Sequence, residues 1–407
     1  MTNAARTATY RTGALALLLS AALTGCGLLG GSDSGGGSAA GGRSFTVAAA
    51  GDILIHPELT DQAARDAKAE GKTGYDFDKI MGGVKPVISK ADLAICHMEP
   101  VMGNPNGPFE TFPRFLIPPQ IATTIKHIGY DTCSTASNHT LDHGPEAVFR
   151  TLNFLDKAGL KHTGSFRNKK ESETPNIMDV KGVKVAQISF AFGFNGIPVP
   201  KDKPWIVNET SLAKISAAEK AARKAGAEVV ILSIHWGREH HPDPTKPQLQ
   251  MARQIAEKTG INLVIGHHAH VVQPMEKVDG MWVAYGLGNQ LARHDVPSGL
   301  TEEGIIGWFE FHENKKARGG WDVQARYVPT FTDIPPDPEV ELGNASSEFK
   351  PVRDHRLIVP ALALKEPEKL LPEQRSRYRL AFERTSGTVE NRGAAKDGLR
   401  PLEGLPD

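Results

Sequence analysis

The segment PQLQMARQIAEKTGINLVIGHHAH, residues 247–270, contains one complete unit of the pattern that decides the fold. It opens with helical spacing of apolar residues behind Pro247, which suits the first turn of a helix. Gly260 follows as a helix stop, and residues 263–265 form a short apolar run typical of a buried strand. The segment therefore predicts a helix, then a strand, then a cluster of histidines at the strand's carboxyl end.

The same order recurs along the chain. Helical spacing in residues 119–128, 145–157 and 211–225 is followed each time by a glycine. Apolar runs that predict buried strands occupy residues 45–50, 93–96, 183–189 and 229–234, and residues 131–135 predict another short strand. Residues 281–285, 305–311 and 321–328 predict further strands with little helix between them, which favours a terminal antiparallel portion. This alternation predicts an α/β fold, a layered sandwich of β-sheets flanked by helices.

The first 43 residues predict export and anchoring. Arg6 and Arg11 precede an apolar run too short to span a bilayer, so residues 1–25 are interpreted as a signal peptide. They lead into LTGC, residues 23–26, which resembles a bacterial lipobox with Cys26 as the lipidated residue; an ordinary signal peptide is the alternative. Residues 26–43 are rich in Gly and Ser and predict a flexible tether. The expected location is therefore secreted and lipid-anchored, on the outer face of the cell membrane.

Composition sets further limits. The 47 Lys and Arg residues balance 47 Asp and Glu residues, which argues against nucleic acid as the main partner. Residues 44–333 are assigned to one main domain. Residues 334–407 are assigned to a Pro-rich, charged C-terminal extension with one helix, near residues 372–383, and a mobile tail. Cys96 and Cys133 fall on neighbouring predicted strands, either as a disulfide or as two free thiols.

Polar side chains capable of binding metal follow five of the predicted strands. They are Asp52 and His56; His97 and Glu99; Asn138 and His139; His235; and His267, His268 and His270. In open α/β sheets such residues gather at the carboxyl edge. Taken singly, Asp52 also fits a turn, but three imidazoles within four residues are costly to bury without partners. Imidazoles and carboxylates together indicate divalent ions such as Mn, Fe or Zn.

Six ordered motifs within about residues 45–290 resemble those of the CapA, or poly-γ-glutamate capsule-synthesis (PGA_cap), family. That family is similar to a divergent branch of the calcineurin-like metallophosphoesterases. The motifs are AGD (50–52), ADL (91–93) leading to Glu99, SNHTLD (137–142), SIHWG (233–237), GHHAH (266–270) and YGLGN (285–289).

The resemblance implies two metal ions and a role for each matching residue. The implied metal ligands are Asp52, Glu99, Asn138, His235, His268 and His270. Asp52 and Glu99 are also counted with the catalytic groups, together with His139 as general acid or transition-state stabiliser.

The sequence departs from the superfamily pattern at three places. Leu54 occupies the position where a His is usual, Glu99 replaces a shorter bridging Asp, and His97 replaces a frequent Asn. His56 or His97 then either supplies a missing ligand or lines the pocket, and a single-metal site stays open. The expected substrate-binding residues are His56, His97, His267, Arg114 and Arg238.

Two functions are consistent with these residues. The first is a metal-dependent hydrolase acting on a phosphate ester or an anionic polymer in cell-envelope or poly-γ-glutamate metabolism. The second is a non-catalytic accessory that binds the polymer through its metals during capsule synthesis and export. Either would work beside membrane polymer-synthesis machinery.

Overall fold

The computed structural model describes residues 42–294, 299–334 and 354–405. The predicted signal peptide, Cys26 and nearly all of the predicted tether lie outside these ranges. Within the ranges described, no helix is both long enough and apolar enough to cross a bilayer.

The strands, in chain order, are β1 (Ser44–Ile53), β2 (Leu93–Met98), β3 (Val101–Met102), β4 (Leu116–Ile117), β5 (Thr132–Ser134), β6 (Lys161–Thr163), β7 (Asn176–Val180), β8 (Val183–Ala191), β9 (Val229–His235), β10 (Leu263–His267), β11 (Met275–Val278), β12 (Met281–Ala284), β13 (Asn289–Leu291), β14 (Glu303–Glu313), β15 (Trp321–Asp333), β16 (Arg356–Ile358) and β17 (Arg400–Pro401). The α-helices are α1 (Pro57–Ala69), α2 (Asp78–Met81), α3 (Lys85–Ile88), α4 (Ile121–Ile128), α5 (Gly144–Lys157), α6 (Lys169–Ser172), α7 (Leu212–Lys224), α8 (Lys246–Lys258), α9 (Pro360–Ala363) and α10 (Pro372–Glu390).

Two large sheets form the centre of the fold. The first has the strand order β16-β15-β14-β1-β2-β5-β6, with β13 beside β1 and β17 beside β15. The second has the order β11-β12-β10-β9-β8-β7. The strands that lead to the predicted ligands pair in parallel, β1 with β2 and β2 with β5 in one sheet, and β9 with β10 in the other. Their carboxyl ends therefore lie at one edge of each sheet.

The predicted apolar runs are continuous because both faces of each sheet are buried. In β1, Val47 and Ala49 pack in the core between the sheets, whereas Ala48 and Ala50 pack beneath the helices α1 to α5. In β9, Ile231 faces the same central core while neighbouring residues pack against α7 and α8. The resulting layers run helix, sheet, sheet, helix, which confirms the predicted α/β sandwich.

The C-terminal part joins the main sheet. β14 and β15 form the expected antiparallel pair, whereas β12 pairs in parallel with β10 and antiparallel with β11. Within the predicted extension, β16 pairs with β15, and the predicted helix is longer, spanning all of α10. Residues 400–401, where composition predicts a mobile tail, pair with β15 as β17.

The structure contains the disulfide between Cys96 and Cys133 that the sequence left open. The two residues are direct partners in the parallel pairing of β2 with β5, and their Cα atoms are 4.5 Å apart. The bond ties these two strands together just before they reach the polar edge.

Gly266 at the end of β10 provides a test of this architecture. A Cβ atom there would lie 2.0 Å from the carbonyl oxygen of Tyr285 and 2.6 Å from Nε1 of Trp236. We expect Gly266→Ala to lower the free energy of unfolding by about 1–3 kcal/mol or more, because backbone must move. Gly387→Ala is the control. Gly387 lies within α10, and a Cβ atom added there would meet no described atom within 4 Å. Equal urea midpoints for the two variants would contradict the close packing described.

Candidate metal centre

The predicted ligands meet where the carboxyl ends of five strands, β1, β2, β5, β9 and β10, converge. Asp52 on β1 is the direct partner of His97 on β2, and His235 on β9 is the partner of His267 on β10. The loops after β2, β5 and β10 add the other predicted ligands, which are Glu99, Asn138, His268 and His270. All of these residues are buried.

Short distances connect the ligands in a continuous series. Asp52 Oδ2 lies 3.4 Å from His270 Nδ1, and His270 Nε2 lies 3.7 Å from Glu99 Oε1. The same Glu99 oxygen is 3.9 Å from His235 Nε2, which in turn is 2.9 Å from Asn138 Oδ1. Glu99 therefore lies at the middle of the series, as expected of a bridging ligand.

His268 completes the predicted set of ligands. Its backbone N–H donates to Asp52 Oδ2 at 3.0 Å, and its ring centroid lies 4.7 Å from that of His235. Its backbone has a positive φ of 90°, which is an uncommon conformation. In this conformation the backbone amide contacts Asp52 while the ring lies beside that of His235. The structure thus brings all six predicted metal ligands together.

The unsatisfied polar atoms fit a cation. Both carboxylate oxygens of Glu99 are buried and have no hydrogen-bond partner among the described residues, and the same holds for His268 Nδ1 and His267 Nε2. Ligand atoms of Asp52, Glu99 and His270 all lie within 4.8 Å of one another. Buried groups of this kind are normally paired, and an ion is one of the few partners that satisfies several oxygens and imidazoles at once. The donor set of nitrogens and oxygens suits the divalent ions expected from the sequence.

Burial controls the charge of these groups. It raises the pKa of Asp52 to about 6 and raises the pKa of Glu99 well above its ordinary value. It lowers the pKa of His268 to about 4, and it lowers the pKa values of His235 and His270 well below the ordinary value. The imidazoles are therefore neutral near pH 7, which is the form that binds metals.

His139 borders the open space next to the ligands. Its Nδ1–H donates to Asp142 Oδ2 at 2.6 Å, and its ring packs edge-on against Phe115. Asp142 is itself fixed by the backbone N–H of Phe115 at 2.8 Å. His139 lines two cavities of about 370 Å³ each, so its Nε2 is the ring nitrogen left for a substrate.

The predicted substrate-binding residues fall into three groups. Arg114 is exposed and lines one cavity with Asn138 and His139, and His56 lines the other while its Nδ1 lies 3.0 Å from the Leu54 carbonyl oxygen. His97 and His267 are buried below the ligands, and their rings stack with centroids 3.9 Å apart. Arg238 is exposed and lines neither cavity.

The placement of His97 and His267 differs from the sequence expectation. His97 has no exposed surface and His267 is only 2% exposed. Both residues are buried because they belong to the buried strands β2 and β10 themselves. His267 Nδ1 lies 3.0 Å from Asp52 Oδ1, so it supports a ligand where a substrate contact was expected. With Asp52, the two residues form a further buried group whose ligand atoms all lie within 4.8 Å of one another, so His97 could also supply a ligand.

Two asparagines in the site were not singled out from the sequence. Asn289 Oδ1 accepts from His270 Nδ1–H at 2.9 Å and so turns His270 Nε2 towards Glu99. Asn289 ends the YGLGN motif, which was a usable signal. Asn195 Oδ1 accepts from Asn138 Nδ2 at 3.2 Å, but its surrounding sequence carries no metal-site pattern.

Comparisons with known proteins connect the chain to bacterial capsule-synthesis proteins. Residues 46–294 match the family model described as bacterial capsule synthesis protein PGA_cap. The chain is 24% identical over 252 residues to the capsule biosynthesis protein CapA of Bacillus anthracis, covering 60% of this chain and 59% of that protein. It is 27% identical over 216 residues to the PGA biosynthesis protein CapA of Bacillus subtilis strain 168, covering 52% and 54%. The matches thus span little more than half the length of these relatives.

Among solved structures, the calcineurin-like phosphoesterase YfkN from Bacillus subtilis aligns with 70% of this chain and 90% of its own, at 15% identity and a TM-score of 0.39. That score is too low to support an argument about function. The family model, however, spans more than half of the 407 residues. The chain therefore belongs to the bacterial capsule synthesis family, PGA_cap.

Proposed function

We propose that this protein is a divalent-metal-dependent hydrolase that cleaves a phosphate ester or a linkage of an anionic polymer in poly-γ-glutamate or cell-envelope metabolism. The observation that carries the proposal is the buried Glu99 carboxylate. Its oxygens have no hydrogen-bond partner among the described residues, and Oε1 lies near both His235 and His270. Two cations are proposed, one held by Asp52, Glu99 and His270, the other by Glu99, Asn138, His235 and His268. Mn, Fe or Zn suits these donors.

Bound cations of this kind polarise a phosphoryl or carbonyl oxygen and make water a better nucleophile. The chain's own residues supply a proton donor and the groups that orient the substrate. Asp142 holds the Nδ1 proton of His139, so the imidazolium form of His139 gives its Nε2 proton to the leaving group and becomes the neutral ring that keeps the Nδ1 proton. Arg114 and Asn195 line the same cavity as His139, where a guanidinium and an amide orient an anionic substrate.

The proposed place of action is the outer face of the cell membrane. The predicted signal peptide and lipidated Cys26 would anchor the chain there, close to polymer-synthesis machinery. The names of the two Bacillus relatives refer to capsule and PGA biosynthesis, and that context supports an anionic polymer as the substrate or product handled.

A second candidate function is a polymer-binding accessory that holds metal without turnover. The observation that favours it is Leu54, which stands where the superfamily usually has a metal-binding His. Leu54 packs in a small apolar cluster with Phe115 and Ala292 and offers no ligand atom.

Metal content tests the centre directly. We expect the purified protein to retain about two equivalents of Mn or Zn, as in two-metal hydrolases, and Glu99→Gln to retain about one or none. The neutral amide keeps the size of Glu99 but loses the charge that both proposed ions share. His312→Ala is the matched control, because that side chain is 46% exposed on β14. Elemental analysis that finds no metal in the wild-type protein would overturn the proposal.

The role of His139 separates the two candidate functions. We expect His139→Gln to lower kcat for an aryl phosphate diester by about 10²–10⁴-fold, the usual contribution of a positioned acid or base. Metal content should not change, because His139 is not among the proposed ligands. Turnover is measured with added Mn alongside elemental analysis. A wild-type protein that binds metal yet turns over no ester or poly-γ-glutamate substrate would instead support the accessory function.

A further inference from the structure

His97 lies inside an unbroken series of hydrogen-bonding groups below the metal centre. Its Nε2 is 3.0 Å from His235 Nδ1, and its Nδ1 is 2.8 Å from Ser134 Oγ. Ser134 Oγ is also 3.3 Å from the carbonyl oxygen of Cys96, and His235 Nε2 is 2.9 Å from Asn138 Oδ1. The series runs from Asn138 at the metal centre to the Cys96 carbonyl within β2.

Both ends of this series are fixed as acceptors. The Cys96 carbonyl cannot donate, and Asn138 uses its Nδ2 to donate to Asn195 Oδ1 at 3.2 Å, so its Oδ1 faces His235. Between these ends, His235, His97 and Ser134 each have one proton to donate when the rings are neutral. Three protons fill three of the four links in the series. When the donors all point towards one end, both inner links hold a hydrogen bond and only the link at the other end lacks a proton.

The direction of the hydrogen-bond series determines whether His235 Nε2 presents a proton or a lone pair to the metal centre. If the donors point towards Asn138, His235 Nε2 carries its proton and donates to the Asn138 oxygen. If they point towards Cys96, the lone pairs of His235 Nε2 and Asn138 Oδ1 face each other at 2.9 Å. Glu99 Oε1 lies 3.9 Å from the same nitrogen. Three acceptors around one point repel each other unless a cation lies among them.

We infer that His97 is a positioning residue that couples the direction of this hydrogen-bond series to metal binding at His235 and Asn138. With the cation bound, His235 Nδ1–H donates to His97, His97 Nδ1–H donates to Ser134, and Ser134 donates to the Cys96 carbonyl. Without it, every bond reverses and the series ends on Asn138. Each ring keeps one proton in both arrangements, so reversal leaves no buried donor unmatched and needs no net proton uptake. The inference rests on the proposed metal centre.

The expected gain is tighter metal binding. A ligand His that donates its second N–H to an acceptor is held in the correct tautomer and becomes a better donor to the metal, and loss of such a partner typically costs about 10–100-fold in affinity. His97 also stacks on His267, so a simple truncation would mix lost hydrogen bonds with lost packing. Two substitutions of similar size separate these effects.

The first test is zinc affinity, measured by competition with a chelating dye. We expect His97→Met, which fills the space but cannot relay a hydrogen bond, to weaken zinc binding by about 10–100-fold. His97→Gln, whose amide both accepts and donates, should restore most of that loss. His355→Met is the control, because His355 is also buried but bonds to Gln62 in another part of the fold. Urea unfolding without metal shows whether each variant is folded.

The second test is the position of the ring proton, read from long-range ¹⁵N–¹H NMR spectra of the protein with labelled histidines. We expect His97 to carry its proton on Nε2 without metal and on Nδ1 with zinc, with the signal assigned by its loss in His97→Gln. An unchanged tautomer, or wild-type zinc affinity in His97→Met, would overturn the inference while leaving the metal centre intact. A wild-type protein that binds no zinc would instead remove the proposed function itself.

Discussion

The rest of the site depends on one buried acidic group, the Glu99 carboxyl, whose oxygens have no hydrogen-bond partner among the described residues. Removing a carboxylate from water without a partner is costly, and among the described residues neither oxygen has a hydrogen bond. Burial accordingly raises its pKa, so the group favours its neutral form until a cation arrives. The surrounding neutral imidazoles and amide oxygens provide ligands for such a cation without adding charge of their own. A folded protein retains a buried carboxyl group without hydrogen bonds only where another interaction, such as a bound cation, stabilises it.

The sheets hold the ligands around Glu99 through very close backbone contacts. A Cβ on Gly51 would lie 2.0 Å from the Gly288 carbonyl oxygen, so only glycine lets β1 approach the segment before β13. This approach places Asp52 and Asn289 side by side, both against Nδ1 of His270. On the opposite flank, the disulfide joins β2 to β5 immediately before His97 and Ser134. Strand packing therefore fixes the points from which the short ligand-carrying loops begin.

Much of this was accessible from the sequence because two signals agreed. Period and length predicted the buried strands and hence the fold class, and the polar residues after those strands predicted a site at the sheet edge. The six-residue ligand set came from the resemblance to the capsule-synthesis family. Side-chain direction could not be predicted in this way. His97 and His56 both follow predicted strands, yet His97 is fully buried and His56 lines a cavity. Asn195 was missed because its contact with Asn138 spans 57 residues and depends on how β8 ends. The pairing of β16 and β17 with β15 is likewise a tertiary effect that no local pattern records.

The central claim is the proposal that two divalent ions share Glu99. The most direct measurement is anomalous diffraction from crystals grown with Mn. The account predicts two anomalous peaks, each at about 2.0–2.2 Å from a Glu99 oxygen, the usual range for carboxylate ligands. One peak should lie towards Asp52 and His270, and the other towards Asn138 and His235. Crystals with no peak beside Glu99, despite intact density for these side chains, would contradict the account.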